Sequence, residues 1–230
     1  LGMRGIPAMA EAVALARDLA LLEYIGSRMH VATVSTAESV ELIRQAKSKK
    51  LRVSASVAAH NLLLDDGCLR GFDTNYKVMP PLRDMYHIEA LREGVKDGTI
   101  DTITSDHRPE DTEHKKVEFP QAASGIIGLE TAFAAARTAL KGRLSTRKLV
   151  ERFCHGPRAV FGLHVPHIAE GTEAELSLFL PDHDWTFAEV DIVSRSKNTP
   201  FVGHHFTGRP VGIIAQGQAK LAGTLLAEMA

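Results

Sequence analysis

The fold is decided by residues 28–59, RMHVATVSTAESVELIRQAKSKKLRVSASVAA. Arg28 to Val34 is predicted to be a strand, and so is Leu51 to Ala59, which is rich in valine and small residues. Between them, Ser35-Thr36-Ala37-Glu38 has the spacing of a capping box and predicts a helix from about Glu38 to Lys50. A helix that joins two such strands is the unit from which parallel sheets are built. This stretch therefore predicts an α/β fold.

The same alternation continues on both sides of this unit. Apolar residues at helical spacing run from Ala8 to Tyr24 and stop at Gly26. Asp84 is placed to cap a helix that reaches Val95, and a third strand is predicted from Ile100 to Ser105. Three βα units are too few for an eight-stranded barrel of about 250 residues, so we expect upstream sequence or a second chain to cover the open side. The first residue, Leu1, is not methionine, which also predicts sequence upstream.

The pattern changes near residue 165. Before it, helices and strands alternate; after it, two strands are predicted at Glu175 to Leu180 and Val211 to Ala219, with no helix between them. We therefore expect residues 1–165 to form a βα region and residues 166–230 to form a small β appendage beside it.

The composition excludes several classes of function. The 27 Lys and Arg residues are balanced by 28 Asp and Glu residues, a formal net charge of -1, which gives no reason to expect nucleic acid or an anionic membrane as a partner. No apolar run approaches the ~20 residues that span a bilayer, and nothing resembles a signal peptide. Cys68 and Cys154 form neither a disulfide framework nor a CxxC pair, which predicts a reducing, cytoplasmic compartment.

The end of the third strand carries the strongest candidate site. In Ile103-Thr104-Ser105-Asp106-His107-Arg108-Pro109, an apolar strand ends in Asp-His and a proline then forces the chain into a loop. Catalytic groups of βα barrels gather at the carboxyl ends of the strands. Asp106 is thus placed to be a metal ligand or general base. The alternative is that Asp106 caps a turn and His107 is simply exposed.

The other two strand ends also carry polar residues. His30 and Thr33 are an odd number of positions apart, so we expect them to face opposite sides of their strand. His60 follows the second strand and is predicted to lie at the same edge as Asp106. It is a candidate ligand or substrate contact, and a structural role is the alternative.

A set of short strings spans almost the whole chain. They are LGMRGIP (1–7), VSTAESV (34–40), FDTNYKVMPPLR (72–83), DGTID (97–101), SDH (105–107), GIIGLET (125–131) and SKNTPF (196–201). In order and spacing they resemble dihydroorotases of the amidohydrolase superfamily. The resemblance implies a (β/α)8 barrel of the TIM type. Residues 1–165 would be the C-terminal portion of that barrel, and residues 166–230 a segment of its β-sandwich domain.

The family reaction that the resemblance implies is ring closure of N-carbamoyl-aspartate to dihydroorotate, in pyrimidine biosynthesis. The family's zinc centre uses an HxH motif, a bridging carboxylate or carboxylated lysine, two later histidines and one aspartate. Zinc lowers the pKa of a bound water and polarises the amide carbonyl, and the aspartate moves the proton. Asp106 matches that aspartate as metal ligand and catalytic residue. The resemblance implies substrate contacts at His107, His60 and Gly125.

Several positions depart from the family pattern, and all of them bear chemistry. The second of the two later histidines is Thr33 here, and a neutral hydroxyl is a poor zinc ligand. The substrate-contacting asparagine is Met79, which lacks the donors and acceptor of an amide. In the Asp-His-Ala-Pro-His pattern the alanine is Arg108 and the second histidine is Glu110. The departures argue against zinc in this chain.

These observations predict a dihydroorotase-like homologue that is catalytically impaired and acts as a structural partner. The expected partners are a second copy of the chain or aspartate transcarbamoylase. The alternative is an active zinc dihydroorotase or related cyclic amidase with a small-molecule substrate, in which His60 replaces the ligand lost at Thr33. An unrelated binding module without metal is a third hypothesis.

Overall fold

Three parallel strands alternate with helices in the first half of the chain, and an antiparallel sheet follows. The computed structural model describes residues 5–221. The helices are α1 (Ala8–Ile25), α2 (Ala37–Ser48), α3 (Met85–Asp97), α4 (Thr112–Lys115), α5 (Ala132–Ala139), α6 (Thr146–Val150) and α7 (Gly156–Phe161). The strands are β1 (Arg28–Val31), β2 (Arg52–Ala58), β3 (Thr102–Thr104), β4 (Leu176–Thr186), β5 (His205–Ala215) and β6 (Gln218–Leu221). Short 3-10 turns lie at Ala59–Leu62, Asp66–Gly71, Thr74–Tyr76 and Glu189–Asp191, and a π-helical turn, Glu151–His155, joins α6 to α7.

β2 is the central strand of the parallel sheet. It pairs with β1 from Arg28↔Arg52 to Val31↔Ala55, and its second half pairs with β3. Val53, Ala55 and Val57 are buried on one face of β2, and Ser56 and Ala58 are buried on the other, as expected for a strand covered on both faces. The predicted parallel βα units are confirmed. Because the strands are parallel, their carboxyl ends meet at one edge, which we call the rim and define as residues 32–36, 59–62 and 105–108.

Local signals set the helix ends. Gly26, in the left-handed conformation, terminates α1, and the Asp84 side chain accepts from the backbone N–H of His87 at the start of α3. The cap of α2 lies one residue later than a capping box at Ser35 requires. Thr36 is the N-cap, and its hydroxyl accepts from the Ser39 N–H at 3.2 Å. Ser35 is not the cap because its hydroxyl binds elsewhere, as described below.

The antiparallel sheet packs against α5, a helix of small buried residues. Thr207 of β5 donates its backbone N–H to Thr138 Oγ1 (2.9 Å), and a side chain at Gly208 would collide with Arg137. The strand predicted at Val211 to Ala219 is in fact the end of β5, a turn at Gln216-Gly217, and β6. Both turn residues have positive φ angles, which end the first strand and start its return. The β character of this part is confirmed, while the predicted boundary near residue 165 remains a prediction.

One side of the parallel sheet is open in the part of the chain that the structure describes. β1 has no neighbour beyond β2, and a groove of about 300 Å³ runs between β1 and α1, lined by residues such as Leu15, Met29 and Thr33. α1 is apolar on its outer face as well, where Val13 and Tyr24 are exposed. The described helices include none that is long and apolar enough to cross a membrane. The (β/α)8 barrel, of which three strands would be part, remains a prediction.

Candidate functional site

The first rim segment turns sharply at Thr33. The φ angle of Thr33 is 54°, in the left-handed region that a β-branched residue rarely adopts. Its backbone N–H donates to Ser56 Oγ at 3.0 Å, and His30 Nε2 lies 3.3 Å from the same hydroxyl. The alternation that predicts opposite faces for His30 and Thr33 does not extend this far, because β1 ends at Val31. Because Thr33 is left-handed, the direction of its side chain is not set by the alternation of β1.

Glu11 of α1 holds the residues that follow. Its carboxylate accepts from the backbone N–H groups of Ser35 (3.0 Å) and Thr36 (3.2 Å), and from both of their hydroxyls. Ser35 and Thr36 are fully buried, so these donors need an acceptor inside the protein. Sequence reasoning missed Glu11, because an acidic residue in the first turn of a helix is also typical of a simple dipole contact.

His60 lies in the second rim segment and is 2% exposed. Burial, and then the positive charge of Arg108, lower the pKa of His60 from 6.5 to about 4. Its Nε2 atom is buried without a hydrogen-bond partner among the described residues, and so is Oδ1 of the adjacent Asn61. His60 is therefore a neutral imidazole with an unused nitrogen.

Asp106 opens the third rim segment. Like Thr33 it has a positive φ angle, 44°, and its N–H donates to Thr104 Oγ1 at 3.2 Å. The Asp106 side chain is only 11% exposed, and its Oδ1 accepts from Arg108 Nε at 3.1 Å. The carboxylate predicted to bind metal thus already has a cationic partner within the chain.

His107 supports the backbone. Its Nδ1 accepts from the N–H of Gly128 at 3.1 Å, which places the ring proton on Nε2. A side chain at Gly128 would collide with the Ser105 carbonyl oxygen, so only glycine fits there. His107 and Gly128 together tie the end of β3 to the start of the segment that leads to α5. The predicted substrate contact at His107 would have to use Nε2.

Gly125 sits behind the same rim segment. Its N–H donates to Lys77 O at 2.9 Å, and its carbonyl accepts from Lys115 Nζ and from Asn198 Nδ2, both at 3.1 Å. Asn198 also donates to Arg108 O and accepts from the Glu110 N–H. The backbone groups of Gly125 that were predicted to contact substrate are thus engaged within the protein. Sequence reasoning quoted Asn198 only as part of a motif and missed Lys115, which is 5% exposed.

The two other substituted positions lie at the flanks of the rim. Met79 precedes Pro80 through a cis peptide bond, and 41% of its surface is exposed. The Glu110 carboxylate lies 3.4 Å from His114 Nδ1, on the segment that leads into α4. Thr33, His60 and Asp106 therefore lie along one edge of the parallel sheet. Glu110 has His114 as a neighbouring partner.

Comparison with known proteins identifies the relatives of this chain. No family model matches it. A protein named dihydroorotase from Anaeromyxobacter dehalogenans (strain 2CP-C) is 42% identical over 221 residues, which cover 95% of this chain and 51% of that protein. A second, from Pelotomaculum thermopropionicum (strain DSM 13744 / JCM 10971 / SI), is 42% identical over 220 residues and is covered to 52%. The chain spans about half the length of the curated relatives it matches.

Solved structures give the same relationship. The L-hydantoinase (dihydropyrimidinase) of Arthrobacter aurescens superposes with a TM-score of 0.83 at 31% identity, over 94% of this chain and 51% of that one. The dihydropyrimidinase of Brevibacillus agri NCHU1002 gives 0.84 at 25% identity, over 94% and 49%. The chain belongs to the dihydroorotase-type amidohydrolases.

Dihydroorotases and hydantoinases are generally zinc-dependent, so the rim must be tested as a zinc site. The resemblance assigns this part of a dihydroorotase two ligand positions, 33 and 106. Position 33 offers a neutral hydroxyl, and the carboxylate at position 106 is paired with Arg108. Among residues 5–221, no three His, Cys, Asp or Glu side chains gather closely enough to hold a metal ion. Of these two positions, Asp106 carries a usual zinc donor and Thr33 does not, so the pair does not reproduce the ligand set that the resemblance implies.

Proposed function

We propose that this chain is a dihydroorotase homologue whose metal-dependent ring chemistry is impaired and whose fold serves as a structural partner. The observation that carries the proposal is Thr33, which stands at one of the two ligand positions that this part of the family supplies. Its left-handed backbone aims the position, but its hydroxyl offers a zinc ion neither the charge nor the basicity of a usual ligand. In this proposal, residues 1–165 belong to a (β/α)8 barrel and residues 166–230 to a β-sandwich domain.

Two anchoring networks support a structural role. Glu11 anchors the segment after Thr33, and Asn198 anchors the segment after Asp106. Both networks fix the fold without hydrogen bonds to the side chains at positions 33 and 106. Such networks are costly when only partly satisfied.

One observation favours a second candidate, an amidase with a remodelled site. His60 lies at the rim, is neutral and has an unused Nε2, which are properties of a metal ligand or of a group that contacts substrate. In that case His60 takes over the role lost at Thr33, and the chain acts on a cyclic amide.

The deciding experiment uses the full-length protein. We expect zinc well below one equivalent by elemental analysis and no hydrolysis of dihydroorotate above background. Stoichiometric zinc together with turnover would overturn the proposal. If turnover is found, His60→Gln separates the candidates, since the remodelled site loses activity with this variant.

The partner is tested separately. We expect the full-length protein to co-elute with aspartate transcarbamoylase, or as an oligomer of its own, in size-exclusion chromatography with light scattering. An inactive protein that elutes alone as a monomer contradicts the structural role.

A further inference from the structure

Arg108 lies two residues after Asp106, at the position where the Asp-His-Ala-Pro-His pattern has alanine. Its Nε donates to Asp106 Oδ1 at 3.1 Å. The Asp106 side chain is 11% exposed, whereas that of Arg108 is 45% exposed. A carboxylate that is largely removed from water needs a positive partner or must take up a proton. In this chain the partner is a guanidinium from two residues away.

We propose that Arg108 is a built-in cation that takes the place of the metal beside Asp106 and thereby closes the site to divalent ions. The inference rests on the proposed function and deepens it. In the proposed function a threonine at position 33 weakens metal binding, and Arg108 adds a cationic partner to Asp106 on the side where a metal would lie.

The backbone around Arg108 is fixed at both of its polar groups. The Arg108 N–H donates to Ile126 O at 2.8 Å, and its carbonyl accepts from Asn198 Nδ2 at 3.0 Å. A side chain at Gly125 would come within 2.7 Å of Arg108 Cβ, so Gly125 leaves the space in which Arg108 packs. The arginine side chain therefore starts from a rigid point, and its short path to Asp106 is defined by the loop.

Arg108 also makes the surroundings unfavourable for a second cation. Its charge contributes, after burial, to the lowered pKa of His60, so its field reaches the neighbouring rim segment. A divalent ion on Asp106 would have to displace the guanidinium or lie against it, and like charges at such distances repel. Neutral His60 cannot compensate for this repulsion.

The test uses the full-length protein and cobalt(II), whose binding is followed by visible absorption. In the Thr33→His background we compare Arg108, Arg108→Ala and Arg108→Lys. We expect Arg108→Ala to bind cobalt at least about ten times more tightly, because it frees Asp106 and removes the repelling charge. Arg108→Lys keeps the charge and is the matched control, with affinity within about threefold of the arginine protein. Equal affinities of the alanine and lysine variants overturn the inference.

A second measurement does not depend on the histidine variant. With Thr33 in place, millimolar cobalt is expected to raise the melting temperature of Arg108→Ala by about 2–4 °C. It should not raise that of Arg108→Lys. The inference fails if the two variants respond alike or if neither responds. The proposed function fails on a different result, namely turnover by the unaltered protein, so the two outcomes can be told apart.

Discussion

The rim segments after β1 and after β3 are held in place by different contacts. After β1, a carboxylate from α1 satisfies the donors of Ser35 and Thr36, and position 33 carries a threonine. After β3, an amide and a lysine bind the backbone through Gly125, and the Asp106 carboxylate is paired with Arg108. In both segments one residue, Thr33 or Asp106, is left-handed.

In both segments the contacts that hold the backbone are separate from the side chains at positions 33 and 106. Neither Glu11 nor Asn198 forms a hydrogen bond with the Thr33 or Asp106 side chain in the contacts that the structure shows. We therefore expect these two side chains to be exchangeable while the loops keep their form. The anchors and the positive φ angles give ways to test this separation.

The largest effect is expected from Glu11→Ala. Removal of this carboxylate leaves two buried backbone N–H groups and the Ser35 hydroxyl without their acceptor, which should lower the free energy of unfolding by about 4 kcal/mol. Urea denaturation measures the loss. Glu23→Ala on the same helix is the control, because its exposed ion pair with Lys49 should contribute less than about 1 kcal/mol. Equal losses in the two variants would show that Glu11 is not an anchor.

The next largest effect on stability is expected from His60, in the rim segment 59–62. The unfolded chain takes up a proton at His60 near pH 6.5 and the folded chain only near pH 4, so the unfolded state binds more protons in this window. The stability that neutral His60 permits is thus present above pH 6.5 and is lost as the pH falls towards 4. The loss should reach about 3 kcal/mol.

His60→Gln isolates this contribution. Unfolding free energies of both proteins are measured between pH 4 and pH 7, and the difference between them should change over the window. A difference that is independent of pH would mean that His60 is not responsible.

Asn198→Ala should have a smaller effect, on the segment after β3. The variant leaves Arg108 O and the Glu110 N–H without a partner and removes one of the two donors to Gly125 O, and we expect a loss of about 2 kcal/mol. Hydrogen exchange at the Glu110 amide should become faster, while exchange in the Ser35-Thr36 segment stays the same. Faster exchange in both segments would contradict their independence.

The smallest change in stability is expected from substitutions of the two left-handed residues, Thr33 and Asp106. Thr33→Asn should raise the free energy of unfolding by about 1 kcal/mol, because asparagine tolerates positive φ angles better than a β-branched residue. Asp106→Asn should give no such gain, since aspartate already tolerates this conformation and its ion pair with Arg108 is lost. Thermal unfolding of both variants measures this; a gain at Asp106 as large as at Thr33 would show that strain is not the cause.

Most of the parallel sheet could be predicted from the sequence, because its signals are local. Valine-rich strands, the cap at Asp84 and the stop at Gly26 each act within a few residues, while the cap of α2 lies at Thr36, one residue after the predicted one. The turn that divides β5 from β6 was missed, because the β pattern of residues 211–215 continues into a short turn, Gln216-Gly217, that contains neither proline nor a two-residue Asn-Gly or Asp-Gly signal.

The candidate site was harder to predict for a physical reason. The strand ends that carry Thr33, His60 and Asp106 follow from the parallel order of the strands. The contacts of Glu11 and Asn198 could not be predicted in this way, since Glu11 lies 24 residues before Ser35 and Asn198 lies 90 residues after Arg108. The ion pair between Arg108 and Asp106 could not be predicted either, because its direction depends on the left-handed turn at Asp106. Contacts set by tertiary folding leave no periodic pattern in the sequence.

The open edge of β1 has a consequence for assembly. In the part of the chain that the structure describes, the outer N–H and C=O groups of Arg28–Val31 lie beside a groove, with no strand paired to them. Such an edge is a template for any extended chain that reaches it, and β-rich misassembly competes with correct pairing. A segment that pairs with Arg28–Val31 would satisfy these backbone groups and remove the template.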